Sequence, residues 1–277
     1  MNSYPRSARL LLACILSAWL SSPLAAPAAK LWERWTAHDP GATMEIDHRR
    51  WNDWLARFVL AGPDGINRVD YGGVGSAGRK QVSAYLDDMM SIAISRYGRE
   101  QQRAYWINLY NALTIDVVLE HYPLDSIRDI SSGFFWSGPW RKKLATIEGQ
   151  AVTLDDIEHR ILRPIWQDPR IHYAVNCASL GCPNLQAEAF TAANMESLLD
   201  KAAREFVNHS RGAQVVDGRL RVSSIYDWFE ADFGGTDAGV IAHLKQYAAA
   251  ELAAALASVE RVDGHDYDWR INDLGRQ

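Results

Sequence analysis

The sequence predicts an α+β fold, a helix-rich single domain with a few short strands and hairpins. Three observations predict it. Several segments carry apolar residues at helical spacing, above all Glu100 to His121. Short runs of strand-like residues meet at turn dipeptides, Glu148-Gly149 and Asp217-Gly218. Helices and strands do not alternate regularly, which argues against a doubly wound parallel sheet.

Composition supports a chain with a real core. Of 277 residues, 48% are hydrophobic and 23% charged, as in ordinary globular proteins. The formal net charge is −5, so no global basic field points to nucleic acid. Residues 1–28 read as a secretory signal peptide: Arg6 and Arg9 precede an apolar run from Leu10 to Leu20, and Ala26-Pro27-Ala28 fits a small-x-small cleavage site. The run is too short for a stable span. Leu11-Leu12-Ala13-Cys14 resembles a lipobox, but Cys14 sits inside the apolar run, with almost no hydrophobic stretch before it. Cleavage after Ala28 removes two arginines from a net charge of −5, leaving −7 on residues 29–277. The expected location is periplasmic or secreted, with no membrane span left after cleavage.

The elements follow in order. His48 to Leu60 places Trp51, Trp54, Leu55 and Phe58 on one helical face. Ile66 to Tyr71 reads as a short strand. Gly72 to Gly75 is a turn that lacks the Gly-Lys-Ser/Thr ending of a phosphate loop. Lys80 to Tyr97 reads as a helix, and Glu100 to His121 as a longer one stopped by Pro123. The latter is apolar on nearly every side, as a central helix is. Asn108 and Asn111 lie within it, three apart, to pin backbone or to bind substrate. Phe134, Phe135, Trp136 and Trp140 mark an aromatic loop, with Trp136 and Trp140 as candidate binding residues. Lys142 to Val152 is a hairpin. Thr153 caps a helix running to Leu162, ahead of Pro164, with Asp156 completing a near capping box. Ile171 to Cys177 reads as a short strand, Thr191 to Asn208 as an amphipathic helix, and Gln214 to Val222 as a hairpin. Helices over Ser223 to Phe233 and Val240 to Leu256 follow, then extended pieces at Ser258 to Asp263 and Tyr267 to Asn272.

The chemistry concentrates between Asp155 and Cys182. With Cys14 gone, Cys177 and Cys182 are the remaining cysteines. A nucleophilic Cys177 needs a base that lowers its thiol pKa. His159 is one candidate, with Asp155 four residues earlier on the same helical face to orient it and Glu158 adjacent. His172 is another, if the turn brings it round. The competing readings are a structural Cys177–Cys182 disulfide, a redox pair, and inert buried thiols. The spacing matches no common zinc pattern and is not Cys-x-x-Cys, so no metal and no other cofactor is expected.

Arg103 to Leu113, Asp156 to Arg163 and His172 to Pro183 resemble three successive signatures of the domain-of-unknown-function 547 family, and Ser223 to Phe233 and Tyr267-Asp268-Trp269 are similar to its late features. The resemblance spans about residues 85–272. It singles out Asn108, Asn111, Glu158, His159, His172 and Cys177, and implies no assigned activity. Plant members need not have a cysteine at the position of Cys182, which favours a role for Cys177 alone. The chain departs from the family at Ala178-Ser179, where many bacterial members have Gly-Ser, and at Ser224, where Lys is usual.

The expected function is that of an exported thiol-dependent hydrolase or transferase using a Cys-His pair. The alternative is a non-catalytic periplasmic binding or scaffold module with a Cys177–Cys182 disulfide; a third idea is a redox protein cycling that pair. The partner in each case is a small molecule, a peptide or a cell-envelope component.

Overall fold

The computed structural model describes residues 27–130 and 138–275. The signal-peptide reading falls outside them except for Pro27 and Ala28, and Phe134, Phe135 and Trp136 lie outside them altogether.

A short 3-10 turn, Glu33–Thr36, leads to α1 (Arg49–Phe58). Its spacing buries Trp51, Trp54, Leu55 and Phe58 together. The helix stops earlier than the sequence suggests, because Val59–Ala61 leaves it as β1 and pairs antiparallel with β2 (Asn67–Val69). Next come α2 (Gly75–Ser91) and α3 (Arg99–His121). Every α3 residue from Gln102 to Ile115 is buried, so this helix is the axis of the larger core. β3 (Ala145–Ile147) and β4 (Gln150–Val152) form the hairpin expected at Glu148-Gly149, where Glu148 has φ 46°.

α4 (Leu154–Asp156) starts at a full Thr153–Asp156 capping box. The chain does not end at Leu162 as expected. It widens into one π-helical turn, Ile157–Leu162, and runs through Pro164 into α5 (Arg163–Trp166). Proline explains the arrangement. It has no N–H to offer the carbonyl of Arg160, four residues back, or that of His159, five back. Both carbonyls instead accept from the N-terminal segment, Trp32 N–H to Arg160 and Lys30 N–H to His159, each at 2.9 Å.

α6 (Ile171–Ala174) corrects the strand expected over Ile171 to Cys177. All four of its residues are buried, and a helical turn buried on every side reads in sequence as an apolar run. After α7 (Met195–Val207), β5 (Ala213–Val216) and β6 (Arg219–Ser223) form the second expected hairpin. The long helices expected beyond it are broken. α8 (Ser224–Trp228) passes into a 3-10 turn, Glu230–Phe233, and α9 (Asp237–Tyr247) is separated from α10 (Ala250–Ala255). β7 (Val262–Asp266) then joins β6 in parallel. It lies a few residues later than the strand expected at Ser258 to Asp263, and Tyr267 to Asn272 is irregular.

Among the described residues, helix makes up 49% against three small separate sheets, which is the α+β class expected. A second, smaller core of Phe206, Leu220, Tyr226, Phe233 and Leu244 lies under β5–β6–β7. No helix among the described residues is long and apolar enough to cross a membrane.

Candidate functional site

The cysteine turn is held from two sides. On one side is α3. Asn111 donates to the Ala174 carbonyl at 2.9 Å and accepts the Asn176 N–H at 2.8 Å, which fixes the exit from α6. Asn176 then spans the turn, accepting from Ala178 N–H and donating to the Pro183 carbonyl. Ala178 adopts φ 57°, the left-handed region that costs a non-glycine residue about 1 kcal/mol. On the other side is the segment after β7. Leu180 N–H donates to the Arg270 carbonyl and Gly181 N–H to that of Asp268, both at 2.8 Å. A Cβ on Gly181 would lie 2.7 Å from the Asp268 nitrogen, so the approach needs glycine.

This clamp brings Cys177 and Cys182 together. Both are free thiols, with Sγ atoms 2.6 Å apart, roughly half an ångström beyond the ~2.05 Å of a disulfide bond. Tyr267 completes the group. Its hydroxyl lies 3.0 Å from Cys177 Sγ and 3.2 Å from Cys182 Sγ, and accepts from Ser179 Oγ at 2.9 Å. The Cys177 N–H donates to Cys182 Sγ at 2.9 Å. Burial opposes ionisation of Cys182, but the hydrogen bonds from Cys177, Tyr267, the Cys177 N–H and Ser179 outweigh it and bring this thiol down to about 7. Burial and the Cys182 charge push Cys177 well above the usual thiol range. One proton therefore leaves the pair readily and the second is retained. Cys182 is buried, and Cys177 is half-buried as a residue.

The titratable residues expected to serve Cys177 form a second cluster on the π turn and α6. Glu158 Oε1 lies 3.7 Å from His172 Nδ1 and 3.9 Å from His159 Nδ1. His159 Nε2 is 3.8 Å from Asp155 Oδ1, close but beyond hydrogen-bond length. Arg163 donates to His159 Nδ1 at 3.1 Å and to Asp232 at 2.6 Å. Burial lowers both histidines, His159 to about 4 and His172 in the same direction, with Asp232 and Glu158 acting against it at His172. His172 Nε2 donates to the Asp232 carboxylate at 2.7 Å, under the stacked ring of Phe229. Burial raises Asp232, but His172 and Arg163 outweigh it and hold the carboxyl well below its usual range. Burial raises Glu158 and Asp155.

The structure thus joins Asp155, Glu158, His159 and His172 in one cluster and Cys177 with Cys182 in another. Neither histidine is a hydrogen-bond partner of either sulfur. Tyr110 stands between the clusters, hydrogen-bonded to Glu158 and within electrostatic reach of both thiols. Asn108 and Asn111 serve the backbone: Asn108 exchanges hydrogen bonds with both N–H and C=O of Phe190 at 3.1 and 2.7 Å. Trp140 packs edge-on against Trp269, which stacks on Trp228. Trp269 and Tyr267 line an open cleft of about 680 Å³ with Asp125, Ser126, Asp129 and Asp268.

Reading the cysteine turn in isolation missed Tyr267, Asp232 and Ser179. The Tyr267-Asp268-Trp269 signature was the one available signal for the first of these.

No curated protein and no solved structure matches the chain. Residues 94–207 match the family described as Protein of unknown function, DUF547. The match covers α3, the π turn and the cysteine turn but excludes Asp232 and Tyr267, which complete both clusters. The matched residues 94–207 lie within a longer chain whose C-terminal segment closes over the cysteine turn.

Proposed function

We propose that this chain carries out thiol–disulfide exchange at Cys177 and Cys182. The observation that carries the reading is the 2.6 Å approach of the two sulfurs under one tyrosine hydroxyl. The location that goes with it is the export compartment the N-terminal signal suggests, where such pairs cycle.

The pair in its singly ionised form shares one proton. Cys177, on the less buried of the two residues, attacks one sulfur of a partner disulfide after its proton passes to Cys182. The partner's other sulfur leaves as a thiolate, and a mixed disulfide forms. Cys182 then attacks Cys177 Sγ, closing the internal disulfide and releasing the partner's second sulfur. The partner gains two electrons from the pair, and of the two protons it takes up, one comes from the pair and one from solvent. Tyr267 is placed to donate to whichever sulfur carries charge.

A Cys-His hydrolase reading needs a base at the sulfur. The two histidines are engaged with Asp155, Arg163 and Asp232 instead. The discriminating experiment exposes reduced protein to oxidised glutathione and weighs the products. Wild type should end with the internal disulfide and no adduct, and Cys182→Ser should retain one glutathione on Cys177. A wild type that keeps the adduct and closes no internal bond would rule the exchange reading out.

A further inference from the structure

Arg211, in the loop between α7 and β5, reaches into the cysteine turn from the smaller core. Its Nη1 donates to the Leu180 carbonyl at 2.8 Å and its Nη2 to Asn184 Oδ1 at 2.6 Å. These partners stand two residues before and two residues after Cys182, so one planar guanidinium brackets that cysteine. Nε is buried without a hydrogen-bond partner, and the head lies over the Phe206 ring at 5.5 Å.

We propose that Arg211 is the positioning residue of the cysteine pair, fixing the Cys182 turn and biasing the pair toward its reduced, ionised form. The inference deepens the exchange reading and rests on it. A buried guanidinium with an unpaired N–H gains from any anion nearby. Burial lowers Arg211 to about 10, and negative charge on Cys182 and Tyr267 acts the other way, so the cation persists at neutral pH. The attraction is mutual: the cation that gains from the thiolate also stabilises it. Oxidation removes the thiolate charge, so Arg211 disfavours the disulfide and makes it the stronger oxidant.

The other charges around the pair do not replace this one. Asp64 and Arg68 lie near Arg211 and neutralise each other through two short hydrogen bonds. Glu205 reaches Asn184 at 3.4 Å and faces Lys201 at 3.9 Å. Cys177, Tyr267, Tyr71 and Tyr110 are the titratable groups that face the sulfurs, and none of them supplies a positive charge.

The test follows thiolate absorbance near 240 nm against pH in the full chain. Wild type should titrate below the usual thiol range. Arg211→Gln removes the charge and half of the bracket, and should move the midpoint up by about one pH unit. Its disulfide should then be favoured over wild type in glutathione buffers by up to about tenfold above both midpoints, and by less as the pH falls below them. Arg211→Lys restores the charge without the fork and should recover most of the midpoint, which a merely structural role would not give. It also serves as the test if the Gln variant does not fold. A folded Gln variant with an unchanged midpoint overturns the proposal, as does a Lys variant no closer to wild type than Gln. A wild type that forms no disulfide at any glutathione ratio, yet shows the midpoint shift, overturns the exchange reading and leaves the positioning role standing.

Discussion

A buried thiol ionises at neutral pH only if something replaces the water it has lost. Around Cys182 the replacements are single groups with separate origins: the Cys177 N–H from the turn, the Tyr267 hydroxyl from the segment after β7, and Cys177 itself. Tyr267→Phe should therefore raise the thiol midpoint above about 7, and alkylation at pH 7 should slow several-fold while the melting temperature changes little. An unchanged pH profile of alkylation would remove Tyr267 from the account. Asn111 works differently, since its amide satisfies a carbonyl and an N–H at the end of α6. Asn111→Ala should cost about 2 kcal/mol in chemical denaturation, because it strands both groups in the core. A fully stable Asn111→Ala protein that lost binding of a small molecule would favour the substrate role over the pinning one.

Elements place these residues by meeting at the cysteine turn. The backbone pairing of Leu180 and Gly181 with Arg270 and Asp268 delivers Tyr267 to the sulfurs. Gly181→Ala forces a Cβ against that backbone and should cost about 2 kcal/mol, with Tyr267 displaced and the thiol midpoint raised together. A stable Gly181→Ala protein with a normal midpoint would show that the pairing does not set the site. How far the sequence foretold these elements depended on local signals. Glu148-Gly149 and Asp217-Gly218 announce hairpins because the turn chemistry is written in two residues. The Thr153–Asp156 box announces a helix start for the same reason. The π turn was not legible. Its stability depends on Lys30 and Trp32, more than a hundred residues away, taking the carbonyls that Pro164 leaves open. Nor was the pairing of His172 with Asp232, sixty residues apart, visible in any spacing. Cys177 and Cys182 were legible as candidates, but which groups face them was not, because Tyr267 arrives from the far end of the chain.

For the molecule as a whole, the buried histidines set the response to acid. Burial lowers His48, His159 and His243 to about 4 and lowers His172 as well. An unfolded histidine titrates near 6.5, so between about 6.5 and 4 the unfolded chain binds more protons than the folded one. Stability is then fully present above about 6.5 and is lost as pH falls through that window. Glu158, Asp155 and Asp116 are raised by burial and oppose this in part, since each binds its proton more tightly in the fold. Burial lowers the partly buried His209 too, so five histidines stand against three acids: the melting temperature should fall from pH 7 to pH 5, and His243→Gln should flatten the slope. A flat or rising melting temperature would mean that the acids dominate. The central claim concerns the cysteine pair, and its most direct measurement is the state of the two thiols in graded glutathione buffers, with peptides mapped by mass. The account predicts one reversible transition between two free thiols and a Cys177–Cys182 disulfide. Two thiols that stay free at every ratio, or a lone glutathione adduct on Cys177 in the wild type, would contradict it.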